Sequence, residues 1–275
     1  MADVKATARP QASGKPKNSG SFMLNLVIVL VCLVAGWLIW AFVLGAPGNF
    51  SDPETKHKPL NVLGAMHVSY IIPFLIAMFL IMLVFIIERA GTLAKAKGKI
   101  NGSEFVRKVQ YHLANKNVDA AIGECDKQSG SVGNVMKAGL LKYKEMISNN
   151  ELNTDQKLLS IQNEVEEATS LELPMMEKNL VFLSTITSAA TLLGLLGTVV
   201  GMITAFQAMA QSGAPDATTL AAGISEALYN TALGIGTSFV AMIAYNYFTT
   251  AIDGVNYSID ESGFTLTQSF AANYK

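Results

Sequence analysis

The sequence predicts an all-α membrane protein with four transmembrane helices in each chain. Hydrophobic residues make up 51% of the chain and charged residues only 15%, a balance that excludes a single water-soluble core. Four apolar runs also occur, each long enough at about 1.5 Å per residue to cross a hydrocarbon core of about 30 Å. The predicted spans are residues 23–44, 67–87, 180–210 and 221–248.

The first span, residues 23–44, follows a basic stretch, residues 1–22, that is predicted to be a flexible cytoplasmic tail. Cleaved signal peptides also place an apolar segment after basic residues, but their apolar region is only about 7 to 15 residues long. We therefore interpret this span as a retained, extra N-terminal transmembrane helix. The Leu-Gly-Ala before Pro47 leaves cleavage open as the alternative.

The positions of lysine and arginine beside the spans predict the orientation of the chain. Basic residues precede the first span and follow the second, so both flanks are predicted to be cytoplasmic; they are Lys5, Arg9, Lys15, Lys17, Arg89, Lys95, Lys97 and Lys99. The loops 45–66 and 211–220 carry few or balanced charges and are predicted to be periplasmic. Four crossings then return the C-terminal tail, residues 249–275, to the cytoplasm.

Residues 88–179 hold most of the charged residues and are predicted to form a cytoplasmic helical domain. Apolar residues at helical spacing predict its helices. These are a helix capped by Ser103, two short helices over 118–125 and 132–146 separated by Ser129-Gly130-Ser131, and a longer helix opened by Thr154. The longer helix is expected to run on into the third span with a bend at Pro174. A solvated helical stalk is favoured over a catalytic domain, because no residues here are paired for chemistry.

The rest of the composition predicts no enzyme, metal or cofactor. His57, His67 and His112 are scattered, without the spacing of a metal site. Gly-rich phosphate loops, Gly-x-Ser-x-Gly and His/Cys pairs are absent. Cys32 lies in the first span and Cys125 in the cytoplasmic segment, so no disulfide is expected.

Glu226 is the only Asp, Glu, Lys or Arg in the four spans. A carboxylate inside a bilayer costs at least about 2.5 kcal/mol unless it faces water or a partner, so Glu226 is a candidate functional residue. On an ideal helix Asn230 lies about 40° and Thr237 about 20° from Glu226. This spacing predicts one polar stripe that lines a pore, whereas Thr231 lies about 140° away.

The depth of Glu226 depends on where its helix starts. With Asp216 or Thr218 as the cap, Glu226 lies roughly 12 to 15 Å along the helix axis. A buried or pore-facing carboxylate is favoured. The alternative is an acid near the outer interface, because the preceding Ala-Thr-Thr-Leu-Ala-Ala-Gly is only weakly apolar.

Small and hydroxyl residues mark the third and fourth spans. Four glycines are predicted to let helices approach closely: Gly194, Gly197, Gly201 and Gly234. Three threonines recur on one helical face and are candidates for lining the pore: Thr187, Thr191 and Thr198. Hydroxyls also join helices to one another, so a water-lined face and interhelical hydrogen bonding both remain open.

Two motifs in these spans resemble the ExbB/TolQ/MotA family of ion-channel subunits, most closely its ExbB/TolQ branch. Leu192-Leu-Gly-Leu-Leu-Gly-Thr-Val-Val-Gly-Met-Ile is similar to the LLGLLGTVxGMI signature of that branch, and Gly223-Ile-Ser-Glu-Ala-Leu-Tyr-Asn-Thr-Ala-Leu-Gly is similar to its GIAEALxTTAxGL signature. Ala244-Tyr245-Asn246 resembles the AYN that closes the last helix of the family. The resemblance covers roughly residues 180–248.

The resemblance implies pore positions for Thr198, Glu226 and Thr231. It also implies a homopentamer around two copies of a single-span ExbD/TolR-like subunit, whose transmembrane Asp carries the proton, with a TonB-like periplasm-spanning protein as the further partner. The implied function is an inner-membrane motor that uses the proton motive force to energise TonB-dependent outer-membrane transport. The alternatives are a TolQ-like or motility motor subunit and, from another class, a structural membrane anchor. No nucleic-acid partner is expected.

The chain departs from the family pattern in three places. Thr191 stands where relatives often carry proline, and Phe239-Val-Ala stands where they have Ile-Pro-Ala. Proline bends helices, so its absence leaves open whether the helix bends of the family occur in this chain. The extra first span gives four crossings, as in the MotA branch, whereas ExbB and TolQ usually have three. We expect this helix on the outside of the ring, packing through Ala35 and Gly36.

Overall fold

The computed structural model describes residues 18–52, 59–211 and 217–274. Within these ranges the chain is helical and has no named strand, only a single β-bridge between Phe50 and Pro59. The all-α prediction is therefore confirmed. Several sequence-based predictions lie outside the described residues: the tail that carries Lys5, Arg9, Lys15 and Lys17, the loop around His57, and the capping residue Asp216.

Nine α-helices occur in the described part of the chain. They are α1 (Asn18–Leu38), α2 (Val62–His67), α3 (Ile72–Ala96), α4 (Gly102–Ala114), α5 (Val118–Gln128), α6 (Gly130–Ser148), α7 (Thr154–Glu177), α8 (Leu180–Gln211) and α9 (Ala217–Asn273), with a π-helical turn at Ile39–Leu44 and a 3₁₀ turn at Pro47–Asn49. Four segments are long and apolar enough to cross a membrane: Met23–Leu44, Ile72–Ala96, Thr154–Ala210 and Leu220–Asn273. The predicted number of spans is confirmed.

The chain divides into two compact units, Met1–Ile81 and Met82–Lys275, with the boundary inside α3. In the first unit, α1 packs closely on the start of α3 at Gly36. A Cβ atom at Gly36 would lie 2.7 Å from the carbonyl oxygen of Pro73 and 2.9 Å from the amide nitrogen of Ala77. A side chain at this position would therefore separate the two helices.

Trp40 and His67 connect the two ends of the loop in the first unit. Trp40 Nε1 donates to the His67 carbonyl at 3.0 Å, and His67 Nδ1 lies 2.9 Å from the Trp40 carbonyl oxygen. Their rings stack with centroids 4.4 Å apart. Asn49 donates to the carbonyls of Val43 and Leu44 at 2.9 and 2.8 Å, which satisfies the last backbone groups of the π-helical turn.

In the second unit, α4, α6 and α7 pack on the C-terminal half of α9, and α5 packs on α4 and α6. Their shared core contains Phe105, Leu113, Tyr143, Ile161 and Phe270, all almost fully buried. The Tyr143 and Phe270 rings meet edge to face with centroids 4.9 Å apart. Burying a large apolar side chain stabilises a fold by about 1.5 to 3 kcal/mol. The residues predicted as a C-terminal tail are thus helical and contribute side chains to this core.

The junction between α7 and α8 differs from the predicted bend at Pro174. Pro174 lies inside α7, and the chain instead breaks at Asn179, whose φ of 66° is left-handed. Arg89, only 3% exposed, donates to the Met176 carbonyl at 3.1 Å, and Asn179 Nδ2 donates to Glu88 Oε2 at 3.2 Å. These side chains bind backbone and amide groups that the helix break frees, and asparagine tolerates the left-handed conformation.

Two helix starts within residues 88–179 also differ from prediction. The sequence predicts Ser103 as the cap of α4, but α4 begins at Gly102, and the preceding Asn101 makes no side-chain capping hydrogen bond. The predicted three-residue separator before α6 is reduced to Ser129, because α6 begins at Gly130. Both Ser129 and Gly130 have positive φ, 56° and 75°, so the chain changes direction between α5 and α6 over these two residues.

Candidate ion pathway

α8 and α9 pack against each other along a stripe of small residues on each helix. A Cβ atom at Gly194 would lie 2.9 Å from the Asn230 carbonyl oxygen, and one at Gly234 would lie 2.6 Å from the Ala190 carbonyl oxygen. The stripe residues are Ala190, Gly194, Gly197, Gly201 and Ala205 on α8, and Gly223, Ala227, Gly234 and Ala241 on α9. They recur three or four positions apart on α8 and four or seven positions apart on α9, which places them on one face of each helix. All four glycines proposed for helix packing lie at this interface.

The Thr198 and Thr231 side chains meet across the α8–α9 interface. Their hydroxyl groups hydrogen-bond to each other, and they lie 3.3 and 3.4 Å from the same acceptor, the Gly194 carbonyl oxygen. Each hydroxyl has one hydrogen, so one hydroxyl donates to its partner while the other donates to the carbonyl. Both side chains are half-buried. The pair is thus a small polar centre inside the interface between the two helices.

Glu226 lies on α9, about 7.5 Å along the axis from Thr231 at five residues' separation. Glu226 is half-buried, whereas Asn230 and Thr237 are buried within the subunit. Asn230 packs on Gly197, where an added Cβ atom would lie 2.5 Å from the Asn230 Cβ. Of the three residues in the predicted polar stripe, only Glu226 is therefore partly accessible. Asn230 and Thr237 are buried between helices of the same subunit.

The other two threonines predicted to line the pore, Thr187 and Thr191, precede Thr198 on α8. Thr187 is half-buried and donates to the Leu183 carbonyl at 3.0 Å, and its own carbonyl accepts a hydrogen bond from Ser238. Thr191 is also half-buried. Ser238 is a further polar residue of this interface that was not predicted from the sequence. Its spacing of seven residues from Thr231, which places both on one face of α9, is the signal that would have identified it.

Two residues were predicted as the cap of α9, and the structure describes only one of them. Thr218, one of the two candidates, falls inside α9, which begins at Ala217. Within the described apolar parts of α8 and α9, Glu226 is the one residue of the Asp, Glu, Lys and Arg types. The described residues also contain no group of three or more His, Cys, Asp and Glu side chains that could hold a metal ion.

A cavity of about 330 Å³ lies between α8 and α9, beside the junction of α7 and α8. Its polar lining residues are Glu177, Ser184, Tyr245, Thr249 and Asp253. Ser184 is fourteen residues from Thr198, and Tyr245 is fourteen residues from Thr231, so the cavity and the threonine pair lie along the same two helix faces. The arrangement offers hydroxyl groups along the interface and two carboxylates at one end.

Comparison with known proteins places this site in a family. Residues 128–261, which contain α6 to α8, most of α9 and both motifs, match the MotA/TolQ/ExbB proton channel family. The chain is 32% identical over 124 residues to the Tol-Pal system protein TolQ of Pseudomonas aeruginosa, covering 45% of this chain and 53% of that protein. It is 48% identical over 69 residues to the biopolymer transport protein ExbB of Helicobacter pylori, covering 25% of this chain and 48% of that protein.

A third relative is the TolQ of Haemophilus influenzae, 39% identical over 90 residues, which cover 32% of this chain and 39% of that protein. The matches thus span about half or less of each relative, 53%, 48% and 39%. They nevertheless agree with the family inferred from the two motifs, which confirms that resemblance. The match to the MotA/TolQ/ExbB proton channel family thus covers residues 128–261, just under half of the chain.

Proposed function

We propose that this chain is the ExbB-like scaffold of a proton-motive-force-driven motor in the inner membrane, and that the motor energises TonB-dependent transport across the outer membrane. The observation that carries the proposal is the position of Glu226. It is a half-buried carboxylate in an apolar helix pair that brings two hydroxyls, those of Thr198 and Thr231, into one hydrogen-bonded centre. An ionisable group retained at such a place is expected to serve ion movement.

In this proposal Glu226 holds and releases a proton at the half-buried end of the α8–α9 interface. Thr198 and Thr231 offer a hydroxyl pair whose hydrogens can reorient, because donor and acceptor roles in the pair are interchangeable. The cavity lined by Glu177 and Asp253 gives the proton a hydrated exit toward the cytoplasmic side.

A second titratable group has to come from another chain. No other acid or base stands in the described apolar parts of α8 and α9, and one carboxylate alone is a poor proton relay. We propose that the partner is a single-span ExbD/TolR-like subunit with a transmembrane Asp, two copies per pentamer of this chain, acting on a TonB-like periplasm-spanning protein. Both termini of this chain are then cytoplasmic.

Exposed apolar surface on α8 supports self-assembly. Leu192, Leu195, Leu196 and Val199 are between 50% and 66% exposed in the single chain. Contiguous apolar surface of this kind marks contact with lipid or with another protein. A ring of five copies covers part of this surface and encloses the Glu226 side of α9.

Replacing Glu226 tests the proposal. Glu226→Ala is expected to abolish uptake that depends on the proton motive force while the protein still assembles, because the role of the side chain is electrostatic. Glu226→Asp keeps the charge but withdraws it by about 1.5 Å, so partial activity is expected. Glu261→Ala, a half-buried acid on the same helix outside the apolar part, is the matched control. Normal uptake in Glu226→Ala would overturn the proposal and favour a structural membrane anchor.

A TolQ-like role is the second candidate, because two of the three relatives described above are TolQ proteins. The two roles differ in what fails when Glu226 is neutralised. An ExbB-like chain loses energised uptake through outer-membrane transporters, whereas a TolQ-like chain loses envelope integrity, measured as sensitivity to detergent. A loss of swimming with neither defect would instead indicate a motility motor.

A further inference from the structure

A cavity of about 550 Å³ opens where α3 ends and α4 begins, against the part of α9 that follows its apolar stretch. Its lining includes Lys97, Lys99, Asn101, Thr250 and Ser258, and contains no acidic residue. Neither lysine takes part in an ion pair among the described residues, and neither does the neighbouring Lys95. The cavity thus has a net positive charge that no side chain of its own lining offsets.

The loop that carries these lysines is held in place by a buried glutamine. Gln128, with no exposed surface, donates to the carbonyls of Lys97 and Ile100 at 3.1 and 2.8 Å and accepts from the Ile100 amide at 2.9 Å. The Gln128 carbonyl accepts from the Lys99 amide at 2.9 Å. Because the backbone at both lysines is fixed, binding an anion costs little ordering of the loop.

The start of α4 adds uncharged donors to the same cavity. Gly102, the first residue of α4, lines it, and the Asn101 side chain makes no capping hydrogen bond there. The first amide groups of a helix have no partner within the helix and favour an anion. An added Cβ at Gly102 would lie 2.7 Å from Ser258 Oγ, so the glycine keeps the helix start close to α9.

The height of the cavity fits the membrane surface. The apolar part of α9 ends at Phe248, and Thr250 lies about 3 Å further along the axis. The head-group layer extends roughly 5 to 7 Å beyond the hydrocarbon core, so the rim of the cavity stands at head-group level. Basic pockets beside membrane spans are the kind of site that anionic head groups occupy.

We propose that this cavity binds the phosphate of an anionic phospholipid, with Lys97 and Lys99 as the charged contacts and the start of α4 as the backbone contact. The inference concerns a lipid site and stands independently of the motor function proposed for the chain.

Titrating the purified full-length chain in a neutral detergent with cardiolipin, followed by native mass spectrometry, tests the proposal. The double variant Lys97→Gln with Lys99→Gln is expected to weaken cardiolipin binding by about 25-fold. This fold-change corresponds to a loss of about 1 kcal/mol of binding free energy for each lysine removed. The control is Lys142→Gln with Lys144→Gln, which removes the same charge from α6 and should leave binding unchanged. Equal weakening in both double variants, or none in either, would overturn the site.

Two further probes separate the source of the phosphate. A neutral phosphatidylcholine is expected to bind without dependence on Lys97 and Lys99. Inorganic phosphate at the concentration that saturates cardiolipin should not displace the lipid, because the acyl chains contribute to its binding. Displacement by inorganic phosphate would assign the cavity to a soluble anion and contradict the lipid proposal.

Discussion

The hydroxyl groups of Thr198 on α8 and Thr231 on α9 hydrogen-bond to each other and lie within 3.4 Å of one shared acceptor, the Gly194 carbonyl oxygen. The contact depends on two features of the sequence. Each threonine lies beside the small-residue stripe of its own helix, and Gly194 lets the two backbones approach closely enough for the side chains to meet.

Removing either hydroxyl is expected to slow energy transduction without lowering the amount of protein in the membrane. Thr198→Val and Thr231→Val keep the side-chain shape and remove one hydrogen bond, worth about 1 kcal/mol. Since both residues share one contact, the double variant should lose less than the sum of the two single losses. Uptake rates normalised to protein abundance measure this; strictly additive losses would show that the hydroxyls act separately.

The glycine contacts predict a contrast between two positions on the same helix. Gly234→Ala places a methyl group 2.6 Å from the Ala190 carbonyl oxygen and 2.8 Å from the Gly194 Cα, so the helices must separate. The expected loss of stability is about 1 to 3 kcal/mol. Gly236→Ala meets no atom within 4 Å in the chain and is the matched control.

Thermal unfolding of the two variants in detergent checks this contrast. Gly234→Ala is expected to melt at a lower temperature, and Gly236→Ala at the wild-type temperature or slightly above it, because alanine favours the helix by up to about 1 kcal/mol. Equal melting temperatures would contradict the close packing of α8 on α9.

Cys125, on α5, provides a test of the core formed by α4 to α7 and α9. It is 2% exposed, and burial raises the pKa of its thiol to about 12. The thiolate is the reactive form, so at pH 8 its population falls by about three orders of magnitude relative to an ordinary cysteine. In a Cys32→Ser background, N-ethylmaleimide should leave the native protein unmodified and label it once in denaturant. Rapid labelling of the native protein would show that this core is open.

Much of the fold follows from local patterns in the sequence, and the exceptions have tertiary causes. The apolar runs predict the spans because the hydrocarbon core selects length and hydropathy alone. The break at Asn179 is not predictable in this way, because Glu88 and Arg89, distant in sequence, bind the groups that the break frees. Proline at 174 is the stronger local signal, yet it is accommodated inside α7.

The C-terminal half of α9 also follows a local apolar pattern, although the sequence-based prediction treated it as a tail. Ile252, Val255, Ile259, Leu266 and Phe270 are all buried and recur at helical spacing. They continue the helix beyond its apolar stretch into the core shared with Phe105, Leu113, Tyr143 and Ile161. The contact between Thr198 and Thr231 could not be predicted from a helical wheel. A wheel gives the positions of residues around one helix, whereas this contact joins two helices.

The central claim is that Glu226 carries the proton pathway. Its most direct test is a measurement of proton flux into liposomes. The liposomes contain the complex isolated by an affinity tag on this chain, and an enclosed pH-sensitive dye reports the flux under an imposed membrane potential. The account predicts that Glu226→Gln reduces the flux at least about tenfold, since losing the charge removes more than about 1.4 kcal/mol of stabilisation for the ion in transit. Flux through Glu226→Gln equal to that of the wild type, at equal assembly, would contradict the account.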